Sequence, residues 1–255
     1  MKLLKKLTPL ATASAIAASV FIVPATASAA EFSGNASVVS KYILRGNTAN
    51  AESEGATIQG GFDYATDIGI YVGYWGSGLS YGNCSEYNAD GACTKGANTG
   101  FENDIYAGWS GDLGPINLDV GLIYYYYLEV EDSNAPEVAL GLGWGPISFG
   151  LKYLTDDVAW GNAGDTYLTL GAELGLPKKF TLGATIGYYL YEETGDFDST
   201  TGDKDGLKHV DFVISHPIGE TGADMSLTYV YGAKDRNDND LPDGMVLSVG
   251  YGFDI

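Results

Sequence analysis

Between residues 115 and 130 every second side chain is apolar. Ile116, Leu118, Val120, Leu122, Tyr124, Tyr126 and Leu128 share one face, and Asn117, Asp119, Gly121, Tyr125, Tyr127 and Glu129 share the other. A period of two belongs to an extended strand, whose successive side chains point to opposite sides of a sheet. Comparable segments occur at 34–46, 56–66, 69–80, 101–111, 136–144, 147–155, 165–175, 180–192, 206–216, 223–233 and 245–255, which makes about twelve strands. Most alternate cleanly: 180–192 aligns Phe180, Leu182, Ala184, Ile186, Tyr188 and Leu190. The facing of 69–80 (GIYVGYWGSGLS) is ambiguous because it is aromatic and Gly-rich throughout.

The connections alternate in length. ATDIG, GDLGP, GWGPI, GLPKK and PIGETG are short and built from turn-forming Gly, Pro and Asp. Those at 47–55, 81–100, 131–135, 156–164, 193–205 and 234–244 are mostly longer and polar. Strict interleaving of short and long places both strand-set termini at one end of an up-and-down antiparallel barrel. Unequal ends are the pattern of a transmembrane barrel with short periplasmic turns and longer extracellular loops. A β-sandwich or jelly roll would share the alternation but has no physical reason for such asymmetry. The last segment alternates to Ile255, as a strand that closes a barrel would, although many bacterial barrels end on an aromatic residue.

The first thirty residues agree with export. Lys2, Lys5 and Lys6 precede an apolar stretch from Leu7 to Val23, then Pro24 and the small-residue run Ala27-Ser28-Ala29-Ala30. This order is that of a secretory signal peptide, cleaved after Ala29 or Ala30. Residues 31–255 then form the barrel domain, and no mature stretch is apolar enough for a membrane helix. Cleavage leaves 10 Lys and Arg against 33 Asp and Glu, a net charge of −23. Such a surface repels nucleic acid and favours cations at any opening. Nineteen tyrosines suit a membrane–water interface, where the ring is apolar and the hydroxyl wet. Cys84 and Cys93, the only cysteines, most simply form one disulfide that staples a small loop in an exported protein.

The chain resembles the TorF family of small bacterial outer-membrane porins. The resemblance is carried by SVVSKYILRGNT at 37–48, IQGGFDYATDIGIYVGYWGSGLSY at 58–81 and FENDIYAGWSGDLGPINLDVGLIYYYY at 101–127. A weaker echo follows in YLTLGAELGLPKKFTLGATIGYY at 167–189. It implies an outer-membrane β-barrel with channel activity, in a family named largely by inference and without an assigned substrate.

Twelve strands give a bore between the side-chain-filled eight-stranded barrels and the aqueous channels of sixteen or more strands. Alternation places Gln59, Asp63, Glu102, Asp104, Asp119, Glu129, Lys152, Glu173 and Asp211 toward the lumen, with Lys41 and Arg45 on the same side of the first strand. Val38, Tyr42 and Leu44 are then expected to face lipid. Acidic residues in a pore favour cations; an interior salt-bridge network that only stabilises the barrel is the alternative for the same charges. His209 and Asp211 share a face but lie about 7 Å apart along a strand, and Ser215 adjoins His216. The expectation is therefore a barrel without catalysis, with a lipid-modifying enzyme as the lesser reading. Asp235, Asn237 and Asn239 begin like a calcium loop, yet Gly is missing at the sixth position and Glu at the twelfth. A polar surface loop fits better than a metal site. The expected function is passive diffusion of ions or small solutes, with cations preferred and no cofactor. The alternative is an occluded barrel that works through its acidic outer loops. Expected partners are outer-membrane lipid, small solutes or cations, and the barrel-assembly machinery. The oligomeric state is left open.

Overall fold

The computed structural model describes residues 31–83, 86–88, 93–95, 100–197 and 205–254. Twelve antiparallel strands close on themselves: β1 (Glu31–Val39), β2 (Thr57–Ala65), β3 (Ile70–Gly78), β4 (Phe101–Leu113), β5 (Ile116–Leu128), β6 (Ala135–Trp144), β7 (Ile147–Leu154), β8 (Thr166–Gly175), β9 (Thr181–Leu190), β10 (Gly206–Pro217), β11 (Ala223–Gly232) and β12 (Gly244–Asp254). Each strand pairs with its sequence neighbours, and β1 closes on β12 from Ser33 opposite Asp254 to Val39 opposite Ser248. Closure leaves no sheet edge with unpaired backbone groups. A small ladder between Glu86–Tyr87 and Cys93–Lys95 lies in the loop after β3, and a 3₁₀ turn at Pro177–Lys179 joins β8 to β9. Residues 1–30, Cys84 and Ile255 lie outside the described residues.

Period two explains which side of the wall each residue takes. Ile58, Leu122 and Trp144 are 63–70% exposed on the outside, while Gln59, Glu102 and Tyr125, on the opposite faces of β2, β4 and β5, are at most 3% exposed. The ambiguous third strand turns Tyr71, Trp75 and Ser77 inward and Ile70 and Val72 outward. Outward tyrosines and tryptophans gather near both strand ends: Tyr124, Tyr126, Tyr153, Tyr188, Tyr229 and Tyr231 toward the loops, and Tyr64, Trp109, Trp144 and Tyr251 toward the turns. Two aromatic girdles flanking an apolar band are what a bilayer solvates.

The turns are short because glycine supplies the backbone angles. Gly114 (φ +69°) and Gly145 (φ +56°) reverse the chain before Pro115 and Pro146, and open space surrounds both Cα atoms, so conformation rather than crowding selects glycine there. At the other end the connections are long. The first is longer than its sequence suggests: β1 stops at Val39, and residues 40–56 form a loop instead of extending the strand to 46.

Candidate functional site

Loop 40–56 folds into the lumen at the loop end of the barrel. Its entry is fixed when the Ser40 amide donates to the Leu247 carbonyl at 2.8 Å, and an antiparallel bridge between Tyr42 and Ser53 narrows its neck. At its tip Arg45 (φ +47°) and Gly46 (φ +72°) take left-handed conformations in succession. Gly46 is pressed against β10, where a Cβ would come within 2.3 Å of the His209 side chain. No other residue could lie so close to that wall.

Arg45 is the clamp. Its Nη1 donates to the Tyr189 hydroxyl at 2.9 Å, and its Nη2 donates to Glu137 Oε2 at 2.6 Å and the Tyr125 hydroxyl at 3.1 Å. The guanidinium also lies 5.0 Å from the Tyr167 ring centre. One loop residue thus binds β5, β6, β8 and β9 together across the lumen. Tyr125 uses its full hydrogen-bond capacity: it accepts from Arg45 and from Lys152 Nζ (3.0 Å), and donates to Glu137 at 2.8 Å. Arg45 and Glu137 are 5% and 2% exposed, so the contact pairs two buried charges, and removing either leaves the other without its direct counterion. Around this clamp Val39, Tyr42, Ile43, Ala51, Tyr127, Leu154 and Val246 pack as an apolar cluster, with Tyr42 edge-on to Trp75 at 5.8 Å.

The other sequence candidates are distributed unevenly. Gln59 (bonded to Ser77 at 3.2 Å), Glu102, Asp104 and Lys152 line the loop-end half beside the clamp, and Asp211 lies against His209. Asp63 and Asp119 face the turn-end half, where they accept the Tyr106 and Tyr71 hydroxyls at 2.6 and 2.9 Å. Two lumen assignments, Glu129 and Lys41, are corrected. Glu129 lies beyond the end of β5 in a left-handed conformation (φ +59°) and is exposed, not in the lumen. Glu173 keeps the inward parity of β8, opposite Gly183, and is exposed at the turn-end rim, near Pro146. Lys41 sits on the neck of the loop and pairs with Glu54 at 2.5 Å, both side chains being partly solvated. Tyr42 is likewise corrected from lipid-facing to 2% exposed in the interior, and Leu44 packs against the same cluster, because the strand ends before either. Val38 does face outward.

His209 and Asp211 do meet. Their Cα atoms are two residues apart, but the imidazole reaches along the wall and places Nδ1 2.8 Å from Asp211 Oδ1. With that nitrogen donating to the carboxylate, Nε2 accepts from the Tyr167 hydroxyl at 2.6 Å. The hydroxyl in this arrangement belongs to a buried tyrosine beneath the loop, and His216 is elsewhere, bonded to the Lys178 carbonyl. Asp235 accepts from the Asn237 amide and from the Asn239 amide and side chain at 2.8–2.9 Å. Partial burial would raise its pKa, but these donors outweigh it and hold the carboxyl below its usual range. The carboxylate is committed to its own turn. Among the described residues no group of three or more acids, histidines or cysteines is arranged for a metal.

A second knot roofs the barrel. Arg236 donates to Asp165 Oδ2 at 2.5 Å and to the Glu192 carbonyl at 2.8 Å, between the rings of Tyr191 and Phe197. Asn162 adds bonds to the backbones of Glu192 and Phe197. Sequence reasoning overlooked this knot and also Glu137. The latter was detectable: it takes the inward parity of β6, opposite the apolar set from Val138 to Trp144.

A family model matches residues 24–247. The chain belongs to the Gcw_chp family, described as bacterial proteins of unknown function. No curated protein matches it. Among solved structures it is similar to a KdgM porin, at 10% identity and a TM-score of 0.53 over 87% of this chain and 98% of that one. It is also similar to a chain from work on the in-meso crystallization of membrane proteins, at 8% identity and a TM-score of 0.51 over 88% and 84%. At such identities the likeness establishes the fold: a closed, twelve-stranded antiparallel barrel.

Proposed function

We propose that this protein is a narrow outer-membrane channel for passive diffusion of ions or small solutes, with loop 40–56 setting its constriction and its interior acids favouring cations. The observation that carries the reading is the origin of the constriction. The lumen is narrowed by a loop that enters from one end and is held by one arginine, rather than filled by wall side chains alone as in the smallest barrels. Toward the turn end the wall offers Ser33, Asn35, Asn117, Thr181 and Thr185, all half-buried, and Ser148, exposed. Small polar side chains of this kind suit a watered vestibule. The outer apolar band with its aromatic girdles supports placement in a bilayer, with the long loops outward. The resemblance to TorF porins and the fold shared with a KdgM porin support the same assignment. The chemistry is transport without catalysis.

One observation favours a second reading. Tyr42, Ile43 and Leu154 are at most 3% exposed, so the loop-end half is packed like a protein core. An occluded barrel working through its acidic loops would look the same. Planar bilayers separate the two: a channel gives discrete conductance steps, and a potassium chloride gradient gives a reversal potential of cationic sign. Absence of steps at every voltage overturns the channel and leaves the fold; an anionic reversal potential overturns the reading of the acids.

A further inference from the structure

Glu102 is the most anomalous side chain in the lumen. It is 0% exposed, and neither carboxylate oxygen has a hydrogen-bond partner; Asp104, next on the same face of β4, has one oxygen in the same condition. The Tyr42 hydroxyl of the inserted loop and the Asp104 carboxyl both approach the Glu102 carboxyl, and Tyr127 is its cross-strand neighbour on β5. Glu52, also from the loop, faces Glu102 but is occupied by the Tyr81 hydroxyl.

The local charges do not balance. Arg45 is neutralised by Glu137 at 2.6 Å. Among the described residues Lys152 is the further cation that faces Glu102 and Asp104, and it hydrogen-bonds Tyr125. With both carboxyls ionised, two carboxylates against one ammonium leave the cluster at least one positive charge short. Desolvating an unpaired carboxylate is expensive, and wall sites of this kind are resolved by a proton or a bound cation. Phenol and carboxylate oxygens are hard ligands, suited to cations that take oxygen donors. Two carboxylates are too few for a closed divalent site, in keeping with the lack of any three-acid group among the described residues.

We propose that Glu102 and Asp104, beneath the inserted loop, bind one alkali cation that has shed much of its water, with tyrosyl oxygens of Tyr42 and Tyr127 completing its surroundings. The ion would join the loop to the β4 wall as Arg45 joins it to β5, β6 and β9. The proposal rests on the channel reading only for the ion's path of entry. The test is thermal melting of the full-length barrel in detergent micelles, in potassium or sodium chloride against choline chloride at equal ionic strength. Choline is too large for the site. Melting about 2–4 °C higher in the alkali salts is expected, with the difference abolished in Glu102→Gln and in Asp104→Asn. Equal melting of the wild type in all three salts overturns the proposal in favour of a shared proton. A difference that survives both substitutions overturns it in favour of binding elsewhere. Should either variant fail to fold, the wild type still decides: its near-UV circular dichroism must change saturably with potassium but not with choline, and a flat or unsaturable response counts against the site. A barrel that binds the ion but shows no conductance would sink the channel and leave this site standing.

Discussion

The two halves of the lumen are built on opposite principles. Toward the turns the inward wall carries mostly small polar residues and glycine, with Tyr71, Tyr106 and Val213 among them, and Asp63 accepts the Tyr106 hydroxyl as Asp119 accepts that of Tyr71. Toward the loops the same twelve strands present Tyr125, Tyr127, Glu137, Leu154, Tyr167 and Tyr189, and these close around a segment that is not part of the wall. The strands alone therefore do not determine the bore. Large inward side chains form a socket, and what occupies the socket is the loop. Its occupancy depends on a few polar contacts that can be removed without touching the sheet.

Removal of the clamp should have the largest effect. Arg45→Ala strands the Glu137 carboxylate in a buried position, a loss of about 3–5 kcal/mol in the seating of the loop. Loop 40–56 is then expected to become accessible to protease while the barrel keeps its heat-modifiable gel mobility; simultaneous loss of both would mean that socket and sheet are one cooperative unit. Next in size is Gly46→Ala, which forces a side chain into a left-handed position against His209. A cost of about 1–3 kcal/mol should appear as the same protease sensitivity in milder form. In the turn-end half, Tyr71→Phe deletes one hydrogen bond to Asp119. It should lower melting by the equivalent of about 1 kcal/mol and leave loop protection unchanged. Smallest of all is Lys41→Ala, because its pair with Glu54 is solvated; a clear loss of loop protection there would show that the neck, and not Arg45, holds the loop.

Much of the barrel was legible in the sequence because alternation and turn chemistry are local. The number of strands, the short turns and the facing of nearly every apolar residue follow from period two. The socket was only half legible. Tyr124 to Tyr127 are four identical residues, and parity alone separates the lipid-facing pair from the pair that lines the lumen. The inserted loop was misread for a physical reason: 40–46 continues the alternation of β1, so Tyr42 and Leu44 look like lipid contacts. What ends the strand is non-local, namely a chamber of tyrosines from β5, β8 and β9 that offers Arg45 and the ring of Tyr42 a better place than the sheet does. Glu129 and Glu173 show the complementary limit, since alternation gives a side but not a height, and both lie at or past a strand end. The His209–Asp211 contact was missed because strand spacing describes Cα atoms, whereas the imidazole spans the gap.

In the proposed channel, loop 40–56, held by Arg45, is a removable constriction above a lumen that is largely polar toward the turns. Single-channel conductance of the wild type and of Arg45→Ala, measured side by side in planar bilayers at one salt concentration, tests it most directly. Small discrete steps are expected for the wild type and steps several-fold larger for the variant. Equal conductance from two correctly folded proteins, or silence from both, would contradict it.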